Sequence, residues 1–417
     1  MLCVRPIPSQ PDDLNDHEGQ RMSKIETQNQ AGVPFGNYQL EIYRELAESV
    51  SAVPFTFAEL EQRAREKLSP GAFGYVAGGA GAEETMRANR EAFGHRQLVP
   101  RMLRSIASRD LRTTVLGTAM PAPVMLAPIG VLSIVHPEAE VAVARAAAAL
   151  GLTMVLSTAS SRNLEEVAQA MGESPRWFQL YWPKDRDFAA SLLRRAKAAG
   201  YRAIVVTLDT FLLGWRPRDL SNSYLPFLRG EGIANYISDP VFCAALAKPP
   251  PEDMAAAIRR WAEVFSDPSL TWDDLRFLRE HTRLPIVLKG ILHPDDARRA
   301  ADLGMDGVIV SNHGGRQVDG AVAALDALPQ VVSAAGNMPV LFDSGIRTGA
   351  DVVKALALGA RAVLLGRPYV YGLAIAGEAG VRGVLRALLA ELELTMALSG
   401  ASRLQDLSAD TLRSGSD

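Results

Sequence analysis

The chain has 417 residues, 48% hydrophobic and 22% charged, with a formal net charge of -3, the balance of a globular protein with one large core or two ordinary ones. So small a charge, with no basic block interleaved with aromatics, gives no reason to expect nucleic acid or an acidic membrane surface as a partner. Its two cysteines, Cys3 and Cys243, exclude a disulfide framework and a four-ligand zinc site; they read as incidental thiols of a reducing, cytoplasmic compartment.

In chain order, residues 1–34 are polar and lack the apolar segment of a signal peptide, so a disordered leader is expected, with Met22 as an alternative start. Residues 35–112 are expected to form an N-terminal helical cap, with one helix over Thr56–Tyr75. Val76–Gly81 (VAGGAG) follows that helix rather than a strand, so it reads as the turn ending the helix and not as a nucleotide fingerprint. Thr113–Val135 carries no charge and is long enough to span a bilayer. Pro121, Pro123 and Pro128, with Gly117 and Gly130, would interrupt a spanning helix; a loop entering a buried strand is expected, and no membrane association.

From Pro123 onward, short apolar runs alternate with helical stretches. The strand candidates are Pro123–Gly130, Thr153–Ser157, Trp177–Trp182, Ala203–Thr210, Pro285–Gly290, Gly307–Asn312, Pro339–Asp343 and Ala362–Gly366. Helix-like segments between them include Glu138–Leu150, Asn163–Met171, Asp187–Ala199, Pro294–Leu303 and Thr348–Leu358, and Gly380–Met396 closes the fold. Continuous Val, Ile and Leu indicate strands buried on both faces, and this alternation predicts a closed (β/α)8 TIM barrel over residues 113–407. A doubly wound open sheet is the alternative, but no G-x-G-x-x-G follows the first strand. Residues 215–270 form a long connection after the fourth strand, with a helix-like Ala255–Val264, and read as a lid. Residues 408–417 read as a tail.

Catalytic groups of such barrels sit at the C-terminal ends of the strands. Those ends carry Ala127-Pro128-Ile129-Gly130, Ser157-Thr158, Gln179-Leu180-Tyr181, Thr207-Leu208-Asp209, Lys289, Asn312-His313-Gly314-Gly315-Arg316, Asp343-Ser344-Gly345 and Gly366-Arg367. Singly these are weak: a lone strand-end His is more often a hydrogen-bonded structural residue than a base, and a strand-end Lys can snorkel to the surface. Together they put ionisable and glycine positions on one rim.

The motifs SNHGGRQ (Ser311–Gln317), FQLY (Phe178–Tyr181), LPIVLKG (Leu284–Gly290), FDSGIRTGADVVKALALGA (Phe342–Ala360) and GRP (Gly366–Pro368) resemble the FMN-dependent 2-hydroxy-acid oxidases and dehydrogenases. The resemblance runs from about Phe55 to Leu407. It is nearer still to the lactate 2-monooxygenases, through FGNYQLEIY (Phe35–Tyr43), GWRPRDL (Gly214–Leu220), SYLPFLRG (Ser223–Gly230) and NYISDPVF (Asn235–Phe242). It implies oxidation of an L-2-hydroxy acid such as lactate, by removal of the hydroxyl proton or the α-proton with transfer of two electrons to FMN. His313 is the implied base, a group whose ordinary pKa suits the task, with Asp209 orienting it. Arg316 and Arg216 are implied for the substrate carboxylate, which planar guanidinium grips better than ammonium; Tyr75 and Tyr181 bond the carboxylate and hydroxyl. Lys289 is implied to stabilise negative charge on reduced flavin. Gly345, Arg347, Gly366 and Arg367 match the phosphate contacts and Asp343 the ribityl contact. Ala127, Pro128, Ile129, Gly130, Ser157, Gln179, Thr207 and Ser311 match the remaining flavin contacts. The family also implies a homotetramer or homo-octamer.

Two positions bear on the fate of the oxidised product. Gly130 stands where family oxidases carry Ala, and a missing methyl there could let the keto acid linger and be decarboxylated, giving acetate, CO2 and water from lactate and O2; the plainer reading is a turn glycine. Ala159 stands where glycolate oxidase has Trp and suggests a roomier side-chain pocket. Release of keto acid and H2O2 is one alternative outcome, and a dehydrogenase passing electrons to a quinone or another acceptor a second. From other classes, Lys289 could be the Schiff-base lysine of an aldolase barrel, or the chain could bind flavin without catalysing anything. O2 is the expected acceptor, because residues 215–270 lack the apolar or basic insert of membrane-bound members.

Overall fold

Eight largely apolar runs become eight short parallel strands: Val124–Leu126 (β1), Thr153–Ser157 (β2), Arg176–Leu180 (β3), Ile204–Thr207 (β4), Ile286–Ile291 (β5), Gly307–Val310 (β6), Val340–Phe342 (β7) and Ala362–Leu365 (β8). They close in sequence order, β8 pairing with β1, into the barrel expected from the alternation. This computed structural model describes residues 34–45 and 53–415; residues 1–33 of the expected leader, with Cys3 and Met22, lie outside them.

Alternation along each strand splits the core in two. Met125, Val155, Trp177, Val205, Val287, Ile309, Leu341 and Leu364, one from each strand, fill the barrel interior. Their neighbours, such as Leu126, Leu156, Phe178, Val206, Leu288, Val310, Phe342 and Leu365, pack outward against the helices. Both faces are buried, which is why the strands read as unbroken Val/Ile/Leu runs; each such side chain contributes about 1.5–3 kcal/mol on burial. The uncharged Thr113–Val135 stretch supplies a hairpin, Thr113–Val115 with Thr118–Met120, before β1. Val115 and Met120 join the interior cluster, and Thr118 accepts from the indole of Trp177 at 3.0 Å. No helix among the described residues is long and apolar enough to cross a membrane.

Ahead of the barrel, the described residues form four helices: Asn37–Glu45 (α1), Phe57–Lys67 (α2), Pro70–Ala77 (α3) and Glu84–Gly94 (α4). The single helix expected over Thr56–Tyr75 is therefore two. Pro70 cannot continue the ladder, and Ser69 instead caps a new helix by accepting from Ala72 N. α3 ends at Gly78, so Val76–Gly81 is a helix-ending turn, as expected. Ala324–Ala334, between β6 and β7, is a helix the sequence reading does not pick out; Pro329 inside it hides the pattern.

Between β4 and β5 the chain forms short helices and a longer one, Met254–Val264, matching the expected Ala255–Val264. This connection is packed rather than loose. Phe227 stacks on Trp261 at 4.7 Å, and Asn235, wholly buried, donates to Ser160 Oγ at 2.8 Å and to the Thr158 carbonyl at 3.2 Å. At the C-terminus, the stretch expected to be a tail contributes a strand, Leu412–Ser414, antiparallel to Arg96–Leu98.

Candidate active site

A cavity opens at the C-terminal ends of the strands, where a barrel of this kind collects its functional groups. Its wall includes Ala127, Pro128, Ile129, Gly130, Tyr75, Tyr181, Arg216, Lys289, His313, Arg316, Asp343, Gly345, Arg347, Gly366 and Arg367. Five other residues singled out in the sequence stand outside that wall. Asp209 lies behind His313. Ser157 and Gln179 are buried and bonded to each other at 2.9 Å. Thr207 and Ser311 are buried at the ends of β4 and β6.

His313 follows β6 at φ +58, and Gly314 and Gly315 continue at positive φ. Three consecutive left-handed residues turn the chain sharply enough to aim the imidazole at the cavity, and only glycine takes such angles freely. The ring Nδ1 lies 2.8 Å from Asp209 Oδ1 and 3.2 Å from Thr210 Oγ1. With Nδ1–H donating to the carboxylate, Nε2 carries the lone pair. Burial pushes the imidazole below its ordinary pKa against the pull of Asp209, so it is neutral and able to accept a proton at neutral pH. Burial also opposes ionisation of Asp209, but His313 and Lys289 outweigh it and hold that carboxyl low. Gly290, at φ +104, leaves the space Asp209 occupies: a Cβ there would stand 2.8 Å from Asp209 Cβ.

Lys289, in the C-terminal half of β5, is buried, with Nζ 2.8 Å from Ser311 Oγ and 3.0 Å from Asp343 Oδ2. Burial penalises the ammonium, but Asp343 and Asp209 overrule it and raise its pKa. A Schiff-base lysine needs the opposite, a free amine near neutrality. The aldolase reading therefore loses its nucleophile.

The guanidiniums are arranged differently. Arg316 donates to the carbonyls of Tyr75 and Gly78 at 2.6 and 2.8 Å, and Arg216 to the Arg316 carbonyl and the Gln317 side chain. Arg367 donates to the carbonyls of Val76, Gly78 and Gly314. Burial, then Arg216 and Arg367, push Arg316 down to about 9; burial and Arg367 do the same to Arg347. A guanidinium stays charged even so, and the strain of this positive cluster would be relieved by an anion. Tyr75 and Tyr181 complete the wall, their pKa values raised by burial, so both are neutral hydroxyl donors.

The residues present fit a flavin mononucleotide. Gln179 Nε2 and Arg347 Nε are buried without a partner, unmet donors of the kind a ring carbonyl and a phosphate would satisfy. Gly366 is open above: a Cβ there would meet only Ile129 Cδ1 at 3.5 Å and Ala127 Cβ at 4.0 Å. It also precedes the helix that begins at Arg367 and is broken at Ala376–Gly377, whose N-terminal amides favour an anion.

One expectation changes. The methyl missing at Gly130 leaves no vacant space, because a Cβ there would stand 2.1 Å from the Ala159 carbonyl oxygen and 2.8 Å from Ala159 Cβ. The two positions singled out separately in the sequence are therefore one contact, the seam between the β1 and β2 loops. Glu140 closes that seam from below, accepting from the backbone N–H groups of Leu132, Ser161 and Arg162. Burial pushes Glu140 up to about 7. Above, Gly232 abuts Val131, and Ser133 donates to Glu231. Sequence reasoning did not find Thr210, Glu140, Phe227 or Phe265 and gave Ser344, though on a strand end, no role; each lines or supports the cavity. Of the four missed, only Thr210 had a signal, as the neighbour of a strand-end carboxylate.

An eight-stranded barrel with a histidine–carboxylate pair facing guanidiniums, and unmet donors suited to a flavin phosphate, defines a flavin-dependent oxidoreductase of carboxylate substrates. The chain belongs to the FMN-dependent dehydrogenase family, whose model matches residues 64–414. It is 47% identical over 387 residues to the FMN-dependent alpha-hydroxy acid dehydrogenase qulF of Penicillium citrinum, covering 91% of this chain and 96% of that one. It is 44% identical over 360 residues to the L-lactate oxidase of Lysinibacillus sphaericus (strain C3-41), covering 86% and 92%. The crystal structure of a mandelate oxidase superposes with a TM-score of 0.76 at 40% identity, over 87% of this chain and 98% of that one. FMN is the cofactor, and 2-hydroxy acids are the substrate class.

Proposed function

We propose that the protein oxidises an L-2-hydroxy acid of lactate type to the 2-keto acid, with O2 as the final acceptor. The observation that carries it is the His313–Asp209 pair on the same cavity wall as Arg316, Arg216, Tyr75 and Tyr181. The two guanidiniums hold the carboxylate, and the tyrosine hydroxyls bond its oxygens and the substrate hydroxyl. That places the carbinol carbon within reach of His313 Nε2, which takes one proton. Asp209 orients the ring and stabilises the imidazolium that results. FMN, when bound, supplies the two-electron acceptor, and Lys289 holds a positive charge where it would stabilise the added negative charge. Arg347, Arg367 and the amides at Gly366 would hold its phosphate.

The 2-monooxygenase outcome is a second reading. It is favoured by the way the Phe227–Gly232 turn closes over the Gly130–Ala159 seam, with Gly232 against Val131, which would slow the keto acid's departure. In that case lactate and O2 give acetate, CO2 and H2O; otherwise they give pyruvate and H2O2. The test is purified protein with L-lactate and L-mandelate under air, following O2, peroxide, keto acid and shorter acid together. Flavin that bleaches with either acid when O2 is excluded supports the oxidation. A yellow protein that no 2-hydroxy acid bleaches overturns it, and the ratio of peroxide to decarboxylated acid chooses between the outcomes. A homotetramer or homo-octamer is proposed as the assembly, with sedimentation as its check.

A further inference from the structure

We propose that Asn89, on α4 outside the barrel, is a positioning residue for His313; the proposal rests on the role assigned to that histidine above. Asn89 and the residue preceding the base, Asn312, form a reciprocal carboxamide pair. Asn89 Nδ2 donates to Asn312 Oδ1 at 2.8 Å, and Asn312 Nδ2 donates to Asn89 Oδ1 at 2.7 Å. Both side chains are buried, 2% and 5% exposed.

The pair is wired into the turn that carries the base. Asn312 Oδ1 also accepts from Gly315 N at 3.1 Å, bridging the three left-handed residues. Asn89 Oδ1 also accepts from Ala324 N at 3.1 Å, at the far end of the same loop. One helical turn earlier, Thr85 Oγ1 donates to the Val318 carbonyl at 2.9 Å and accepts from Ala321 N at 3.0 Å. A Cβ on Gly315 would stand 2.8 Å from Met86 N. Thr85, Met86 and Asn89 thus form one face of α4 against which the loop 312–324 is moulded.

A turn of three positive-φ residues, two of them glycine, has little conformational preference of its own. Its shape depends on bonds from outside it. Asp209 and Thr210 hold the ring itself, at Nδ1; the Ser311 and Ser344 hydroxyls accept from the turn's amides, and the Asn89–Asn312 pair ties the backbone from which the ring projects to α4. Asn89 touches neither substrate nor base and acts through Asn312.

The test uses the flavin-loaded protein with Asn89→Ala and Asn89→Asp, measuring flavin content, thermal midpoint, and kcat and KM for flavin reduction with O2 excluded. Asn89→Ala is expected to keep its flavin and lose about tenfold or more in reduction rate, with KM changed less than about threefold. Asn89→Asp adds a readout that a purely structural role would not move. A neutral carboxyl, with one O–H donor and one carbonyl acceptor, reproduces the amide pair; a carboxylate does not. The reduction rate of Asn89→Asp relative to the unsubstituted protein should therefore climb about threefold or more as pH falls from about 8 to 5.5. α4 also lies against Gly345, so flavin content is measured separately. If Asn89→Ala does not hold flavin, the Asn89→Asp ratio decides alone. A reduction rate within twofold of the unsubstituted protein in Asn89→Ala, or a pH-independent ratio in Asn89→Asp, overturns the inference. An unsubstituted protein that no 2-hydroxy acid reduces overturns the functional reading instead.

Discussion

The charged groups at the centre of the cavity and those at its flanks are built on opposite principles. In the centre each ionisable group has its partner: Lys289 stands 3.0 Å from Asp343 and His313 2.8 Å from Asp209. At the flanks Arg216, Arg316 and Arg367 bond to backbone carbonyls and a glutamine, and burial lowers the pKa of Arg316, Arg347 and Arg367. The centre's own counter-charges fix its geometry and hold the base in one tautomer. The flanks store unfavourable charge that an anionic ligand would neutralise, one flank suited to a carboxylate and the other to a phosphate.

Breaking the centre should have the largest effect. His313→Gln keeps the polar volume but removes the titrating nitrogen, so flavin reduction with O2 excluded is expected to slow by roughly 10^2–10^4-fold while the protein stays yellow. Rapid bleaching of that variant would remove His313 as the base. Breaking a flank should act on binding instead. Arg367→Met is expected to weaken FMN binding about 10–100-fold, the loss of a charge-assisted contact worth about 1.5–3 kcal/mol. Inorganic phosphate should stabilise flavin-free protein through the same contacts and do so much less in Arg367→Met. Equal stabilisation of both would show that the flank is not built for phosphate.

A pH profile sharpens the comparison. His313 must be neutral to accept a proton, and burial lowers its pKa, so kcat/KM should hold down to about 6.5 and fall only below it. Asp209 pulls that pKa upward by favouring the imidazolium. Asp209→Asn removes the pull, so the acid limb should move to still lower pH while the plateau drops. An acid limb that moves to higher pH would mean that Asp209 does not act on His313.

How much of this was legible depends on whether a residue's role repeats along the chain. The eight strands were, because each is buried on both faces and most spell that out in runs of Val, Ile and Leu, β3 instead through Trp177, Phe178 and Leu180. The rim residues were, because a barrel collects strand ends on one side and familiar motifs marked them. Asn89 was not: its partner is Asn312, |i−j| = 223, and a single asparagine in an amphipathic helix looks like a solvated position. Glu140 was hidden in the same way, as a carboxylate in the first turn of an alanine-rich helix, where exposure is the ordinary expectation. The break at Pro70 was visible in the residues but is decided by Ser69, whose hydroxyl makes a new helix cheaper than a kinked one.

The smallest expected effect concerns the seam. In the sequence Gly130 suggests space beside the flavin, yet the place of the missing methyl is taken by the Ala159 carbonyl. Gly130→Ala must therefore act by pushing the β2 loop away. That loop is tied to Glu140 by Ser161 and Arg162, and through the Ser133–Ser161 contact to Glu231 above. Glu231→Gln weakens the upper tie without adding a methyl. If keto acid is retained because the turn over the seam stays shut, both variants should shift the products of lactate oxidation the same way, from acetate and CO2 towards pyruvate and H2O2, with flavin reduction changed by less than about threefold. If Gly130→Ala shifts the ratio and Glu231→Gln does not, the methyl itself matters and the seam does not. If neither shifts it, product fate is decided away from Gly130, and the monooxygenase reading loses the contact on which it stands.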